Sequence, residues 1–290
     1  MRLSLSIPQR DALTFLSDRV ALAAVFVVLF CLNYAPHLFD AFTNIFGVGN
    51  DLDHSRTVSS AEILGFVAIA VVLCDMRADR VLRRWDFVAI AGITVASLYP
   101  SPIVRAIAMT GLCLLFVAQS DKQIASLGQL CIGLVWIDYW GPLFLDLIKP
   151  WLLPIEALFA FLPLWLFGSF SLDGTVITNG TGYAIQVFEP CSAFHNTITT
   201  AFIWLSLMKI MRMDFHLRQY CFLALAFAVV VLLNTARISI LAVSENQYLF
   251  WHTGPGLWIV KLMMLTTILG LFYLSVAKAQ RPSEPAFLIT

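Results

Sequence analysis

Charged side chains are scarce in this chain: they make up 12% of 290 residues, while apolar residues make up 60%. A soluble domain carries about 25% charged residues, and the mean hydropathy here is +0.84. A soluble globular fold is therefore excluded and a polytopic membrane protein is expected. The zero formal net charge says little by itself, because orientation in a bilayer depends on where Lys and Arg fall. A lipid bilayer, not nucleic acid, is the expected environment and partner.

Paired cysteines are lacking too. The six cysteines stand at 31, 74, 113, 131, 191 and 221, with no C-x-x-C among them. That excludes a disulfide framework and argues against a structural zinc site. Five lie in apolar runs, where a thiol behaves as a small hydrophobe; only Cys191 lies beside polar loop. There is no H-E-x-x-H and no carboxylate at ligand spacing, which argues against a metal hydrolase built on His195, Cys191 and His252. No metal or other cofactor is expected. A cleavable signal peptide is not evident, since the first apolar run follows Arg19 and passes into Asn33-Tyr34-Ala35-Pro36 without a small-residue cleavage site. Internal repeats are not evident either, and residues 1–290 read as a single membrane domain.

What the chain has in abundance is apolar runs of spanning length, about 17–25 residues each. Candidate spans are 20–39, 57–75, 86–100, 102–118, 124–143, 192–210, 219–243 and 257–277. The expected fold is thus an all-α polytopic bundle of about eight transmembrane helices. It divides into N-terminal spans (20–143), an outer-face segment (144–191) and a second group of spans (192–277). Of the 18 Lys and Arg, thirteen fall at ends that share a side with the N-terminus, including Arg77, Arg80, Arg83, Arg84, Lys209, Arg212 and Arg218. The other five are Arg56, Arg105, Lys149, Arg237 and Lys261. By the positive-inside rule the N-terminus is cytoplasmic. The protein is then a multi-pass protein of the cytoplasmic membrane.

Residues 151–170 are apolar enough to span, yet a span there would put 171–190 inside and contradict the basic loop at 209–218. Pro150, Pro154 and Pro163 are expected to interrupt the run, giving an interfacial or re-entrant piece on the outer side. Thr175–Val187 then reads as a small extracytoplasmic β-hairpin turning at Asn179-Gly180, because Asn-Gly between β-branched and aromatic residues is a strong hairpin signal.

The hairpin delivers Glu189-Pro190-Cys191-Ser192-Ala193-Phe194-His195-Asn196 to the start of the next helix. A helix N-terminus stabilises a thiolate, so Cys191 is the candidate nucleophile. Two histidines compete as its proton carrier: His195, four residues on and expected on the same helical face, and His252, in the loop before the last span. Arg237 sits near the outer end of its helix, three residues after Asn234, where an arginine is costly unless it faces a partner or water. Each residue has a plain reading alone: a packed thiol, a snorkelling arginine, a solvated loop histidine, a Gly254-Pro255-Gly256 turn. Together they form the set that acyl transfer to a thiol requires.

The chain resembles the exosortase/archaeosortase family over roughly its second half. The resemblance is carried by Cys191-Ser192-Ala193 after a hairpin, Asn234-Thr235-Ala236-Arg237-Ile238, and His252-Thr253-Gly254. It implies a membrane-embedded cysteine protease or transpeptidase that processes C-terminal sorting signals of secreted proteins on the non-cytoplasmic face. The implied substrates are membrane-anchored proteins ending in a short motif, a transmembrane helix and a basic cluster. Carried over residue by residue, Cys191 is the nucleophile, Arg237 the oxyanion or substrate stabiliser and His252 the acid/base, with His195, Asn234 and Glu189 in support. The chain departs from the family pattern at Ala193, commonly Gly, and at Phe194-His195-Asn196, where an Arg often follows. A rival reading from another class is a transporter or binding protein whose polar path is lined by Arg237, Asp138 and Glu156.

Overall fold

The structure, a computed structural model, describes residues 60–75, 92, 101–118 and 122–277. The expected span 20–39, and all of 86–100 except Gly92, lie outside the described residues. The chain separates into two units, Met1–Tyr139 and Trp140–Thr290. In the first, α1 (Ser60–Cys74) and α2 (Pro102–Val117) both pack on α3 (Lys122–Val135). Proline opens α2, where its missing N–H costs nothing. Gly128 lets α3 approach α2 closely: a Cβ there would meet the Cys113 carbonyl at 2.7 Å and the Val117 nitrogen at 2.8 Å. The amide of Gln123 donates to the Asp75 carbonyl at 2.9 Å, tying the end of α1 to the start of α3.

A π-helical turn (Trp136–Trp140) precedes α4 (Gly141–Phe167), the long helix that opens the second unit. At 1.5 Å per residue the 27 residues of α4 advance about 40 Å, against a hydrocarbon core of roughly 30 Å. Two expectations are corrected here. The helix does not end near 143, and Pro150, Pro154 and Pro163 lie inside α4 without interrupting it. Each proline removes only one backbone donor, and the packing of Ala157, Ala160 and Leu164 against the sheet and α6 holds the helix together around them.

The second unit holds α4, a small sheet, α5 (Ala193–Ile210), α6 (Leu217–Leu241), the one-turn α7 (Glu245–Tyr248), a π-turn (Leu249–Thr253) and α8 (Pro255–Ala277). α6 packs against α5 and α8, with Trp204 of α5 fully buried and edge-on to Phe272 of α8, centroids 5.2 Å apart. Among the described residues, 122–167, 217–241 and 255–277 are long and apolar enough to cross a membrane. α1 and α2 are shorter apolar helices, and the first turns of α5 hold His195, Asn196, Thr197, Thr199 and Thr200.

The sheet has three antiparallel strands in the order β1 (Phe170–Asp173), β2 (Val176–Asn179), β3 (Ala184–Gln186). β1, the short Phe-Ser-Leu-Asp run, is a strand additional to the expected pair. Asn179 organises the β2–β3 loop: its Oδ1 accepts from the Thr181 and Tyr183 amides at 2.9 and 3.0 Å, and Gly182 takes φ +85°. Its Nδ2 donates to the Val243 carbonyl at 2.9 Å, pinning the loop to the end of α6. Ile177, Ile185 and Val187 bury against Ala157, Ala160 and Leu164 of α4 and against Ile238 and Leu241 of α6. Each such burial is worth about 1.5–3 kcal/mol. Cys191 belongs to the same cluster, so the packing that holds the sheet also fixes the thiol.

Candidate active site

Cys191 closes a 3₁₀ turn, Glu189–Cys191, whose second residue is Pro190. Its N–H donates to the Phe188 carbonyl at 2.8 Å. The helix begins only afterwards: Ser192 is the N-cap, and its Oγ accepts from the Phe194 amide at 3.1 Å. Cys191 therefore stands just before the first turn of α5, at the start of the helix as expected. That removes the expected i,i+4 relation to His195, which lies exposed inside α5.

Three polar side chains fix the thiol's backbone. Asn234 Nδ2 donates to the Cys191 carbonyl at 2.7 Å in a buried bond, and Asn196 Nδ2 lies 3.4 Å from Asn234 Oδ1. Glu156 of α4 accepts through Oε1 from Ser192 Oγ at 2.9 Å and from the Ala193 amide at 3.0 Å. A carboxylate on the first N–H of a helix satisfies a donor that has no intrahelical partner. Glu189 forms an ion pair with Lys149 of α4, which also holds Asp146 at 2.8 Å. This exposed pair is worth about 0–1 kcal/mol and acts as a tether.

Arg237 lies one turn after Asn234 on α6 and is 9% exposed. Its charge draws the Cys191 thiol downward, against the effect of burial, while its Nε is buried without a hydrogen-bond partner. Buried polar groups are nearly always paired, so this donor is available to a ligand. Arg237 also acts on His252. The two histidines thus separate: Asn234 holds the Cys191 carbonyl and the Arg237 charge acts on both the Cys191 thiol and His252, whereas His195 is not among the groups that perturb Cys191.

The electrostatics correct one expectation. Burial pushes the Cys191 thiol above its ordinary value, and neither the Arg237 charge nor the hydrogen bonds to the sulfur cancel that, so no ready-made thiolate is present. Burial, reinforced by Arg237, holds the His252 imidazole below its ordinary range. His252 is then neutral at pH 7 and able to accept a proton.

His252 lies in the π-turn Leu249–Thr253, which folds tightly on itself. A Cβ at Gly254 would meet the Phe250 carbonyl at 2.8 Å, and one at Gly256 would meet the Phe250 ring at 2.8 Å. Both glycines are required by crowding. Tyr248, one helical turn before His252, stacks edge-on to it with centroids 4.7 Å apart. Sequence reasoning passed over Tyr248 and gave Glu156 to the rival reading. The four-residue spacing to His252 was the available signal for the first.

Glu156 supports a prediction. Glu156→Ala leaves the Ala193 N–H and the Ser192 hydroxyl without their acceptor, at a cost of about 1 kcal/mol in stability, and removes a negative charge that raises the Cys191 thiol. Glu156→Gln keeps an oxygen acceptor. Thermal melts should show the Ala variant destabilised and the Gln variant close to wild type, while both are alkylated faster at Cys191. Equal melting of Ala and wild type would remove Glu156 from this role.

Among the described residues no three His, Cys, Asp or Glu side chains gather as a metal site. Comparison with curated proteins found no match, and neither did comparison with solved structures. Comparison with family models matched one, described as transmembrane exosortase, over residues 50–272. That range spans well over half of the chain and contains Cys191, Asn234, Arg237 and His252, and it identifies the chain as a member of the transmembrane exosortase family.

Proposed function

We propose that the chain is a membrane-embedded cysteine peptidase or transpeptidase that processes C-terminal sorting signals of membrane-tethered secreted proteins. The observation that carries this reading is the unpaired, buried Arg237 donor beside the Cys191 sulfur. A substrate carbonyl polarised there is within reach of the thiol. In the forward step His252 takes the thiol proton as the sulfur adds to the scissile carbonyl, and Arg237 stabilises the oxyanion. The intermediate collapses to a thioester on Cys191 while His252 returns the proton to the departing amine. Water or an acceptor amine then attacks the thioester, and the thiol is regenerated. Asn234 holds the Cys191 carbonyl throughout.

The rival transporter reading draws on Asp138, Glu156 and Arg237. Glu156 is occupied at the start of α5 and Arg237 beside a thiol, which favours the peptidase.

The active site faces the non-cytoplasmic side in this reading. Charge distribution supports it, and so do the contacts of α4. Phe144 stacks on Phe194, Lys149 pairs with Glu189, Glu156 binds Ser192, and Ser239 Oγ donates to the Ala160 carbonyl. From 144 to 160 a helix advances about 24 Å, yet its partners toward α5 stay within 189–194. Such a helix crosses the end of the bundle. Its exposed stripe Leu147, Trp151, Ile155, Leu158, Leu162, Trp165 suits the outer membrane interface. In intact cells a membrane-impermeant thiol reagent should label Thr181→Cys and spare Met213→Cys; the opposite pattern would invert the orientation.

Processing is tested in the host. With Cys191→Ala, at least one secreted protein should accumulate in membranes in a longer form that keeps its C-terminal helix. Unchanged C-termini throughout the membrane proteome would overturn the proposal.

A further inference from the structure

The sheet ends on β3, and its register fixes which main-chain groups that edge presents. The Asn179 N–H donates to the Tyr183 carbonyl at 2.8 Å, and the Val187 N–H to the Thr175 carbonyl at 2.9 Å. With Ile177 opposite Ile185 between them, residues 183, 185 and 187 point their backbone groups at β2. Hydrogen-bonded and non-bonded pairs alternate in an antiparallel ladder. Ala184 and Gln186 therefore point their N–H and C=O groups away from the sheet, and both are exposed. This edge is not bare to solvent. It forms one wall of a cleft of about 380 Å³, lined by Tyr183, Gln186 and Phe188 on one side and by Glu245, Tyr248 and Leu249 on the other. Tyr248 is shared: it lines the cleft and stacks on His252. At its other end the same chain runs from β3 through Phe188 into the turn that holds Cys191.

We propose that the outer edge of β3 is the substrate-binding strand: an extended segment of the protein substrate pairs with Ala184 and Gln186 as a fourth strand in this cleft. The paired segment leads its scissile carbonyl past Tyr248 to Cys191. This rests on the peptidase reading and adds the mode of recognition. Strand addition draws affinity from main-chain hydrogen bonds, while alternate side chains enter flanking pockets. It suits an enzyme whose substrate must be unfolded and extended at the cut. The aromatic walls at Tyr183, Phe188 and Tyr248 favour apolar side chains at the positions that point inward. Glu245 lies at the cleft's polar side.

The test uses the full-length protein in native membranes and peptidyl chloromethyl ketones, in which the Cys191 sulfur displaces chloride and forms a thioether. Acetyl-tetraalanyl and acetyl-alanyl reagents are compared, each rate being taken relative to iodoacetamide on the same protein. The longer reagent should alkylate Cys191 at least tenfold faster. N-methylation should slow it by about 2- to 10-fold at alternate residues only, one lost hydrogen bond each. Gln186→Pro, which removes an edge N–H without breaking a ladder bond, should shrink the length advantage. An advantage insensitive to N-methylation and to Gln186→Pro would overturn strand addition and leave the peptidase reading intact. Alkylation of Cys191 by iodoacetamide but by neither peptidyl reagent would overturn both. Efficient disulfide-linked dimers of Gln186→Cys would give the edge to a second copy of the chain and likewise refute the proposal.

Discussion

Arg237→Lys is expected to leave the protein inserted and folded and to lower the rate of processing by about 10²–10³-fold, the usual loss when one oxyanion donor is removed. The substitution keeps the positive charge, so Coulomb attraction to the thiol and to a developing oxyanion survives in part. It removes the planar fork and with it the Nε donor that stands unpaired in the resting protein. An ammonium has no fixed second donor, so it cannot serve the sulfur and a carbonyl oxygen in the same geometry. The loss should fall on kcat more than on KM, because the contact strengthens as charge develops. Arg237→Ala makes a further distinction. Burial and the Arg237 charge together hold His252 low; without the charge, the acid limb of the pH profile should move to higher pH, while Lys should leave it nearly in place. Processing by Arg237→Lys within about threefold of wild type would make Arg237 a snorkelling residue.

His252→Ala should cost about 10²–10⁴-fold, the usual contribution of a positioned acid/base, and His195→Ala should cost little. The reason is geometric. His195 is exposed within α5, whereas Cys191 lies before that helix begins. His252 is coupled to Arg237, and Arg237 to the thiol. The pH dependence gives an independent sign. His252 must be unprotonated to take the thiol proton, and its affinity for that proton is depressed. The wild-type rate should therefore rise through a limb below pH 6.5, the ordinary imidazole value, and stay flat through neutrality. Burial raises the thiol, so the residual rate of His252→Ala should depend on thiolate and climb toward alkaline pH. A dead His195→Ala beside a normal His252→Ala would transfer the base to His195.

Much of this arrangement was legible in the sequence, and the unread part has a common cause. Cys191, Asn234, Arg237 and His252 are polar residues at the ends of apolar runs, where a polar side chain stands out. The family resemblance rested on those same residues, and the family match covers them. Glu156 looked like an intramembrane acid because its partners, Ser192 and Ala193, lie 36 and 37 residues away. Tyr248 is one aromatic among 38 in an aromatic-rich chain, taking 23 Phe, 8 Trp and 7 Tyr together. Only the packing of the π-turn gives it meaning. The prolines of α4 point to a break when taken alone, and the packing of Ala157, Ala160 and Leu164 that holds the helix involves residues distant in sequence. The dipole of α5 alone favours a thiolate, but burial of Cys191 among Ile238, Leu241 and the sheet outweighs the Arg237 charge.

The central claim is a covalent one, and the acyl-enzyme tests it most directly. The wild-type protein is mixed with the secreted protein whose C-terminal processing fails in Cys191→Ala cells, quenched rapidly in acid, digested and analysed by mass spectrometry. The account predicts a substrate-derived acyl group on Cys191, released by hydroxylamine as a thioester must be, and absent from Cys191→Ala. Processing that continues in Cys191→Ala, or an adduct carried by any other residue, would contradict it.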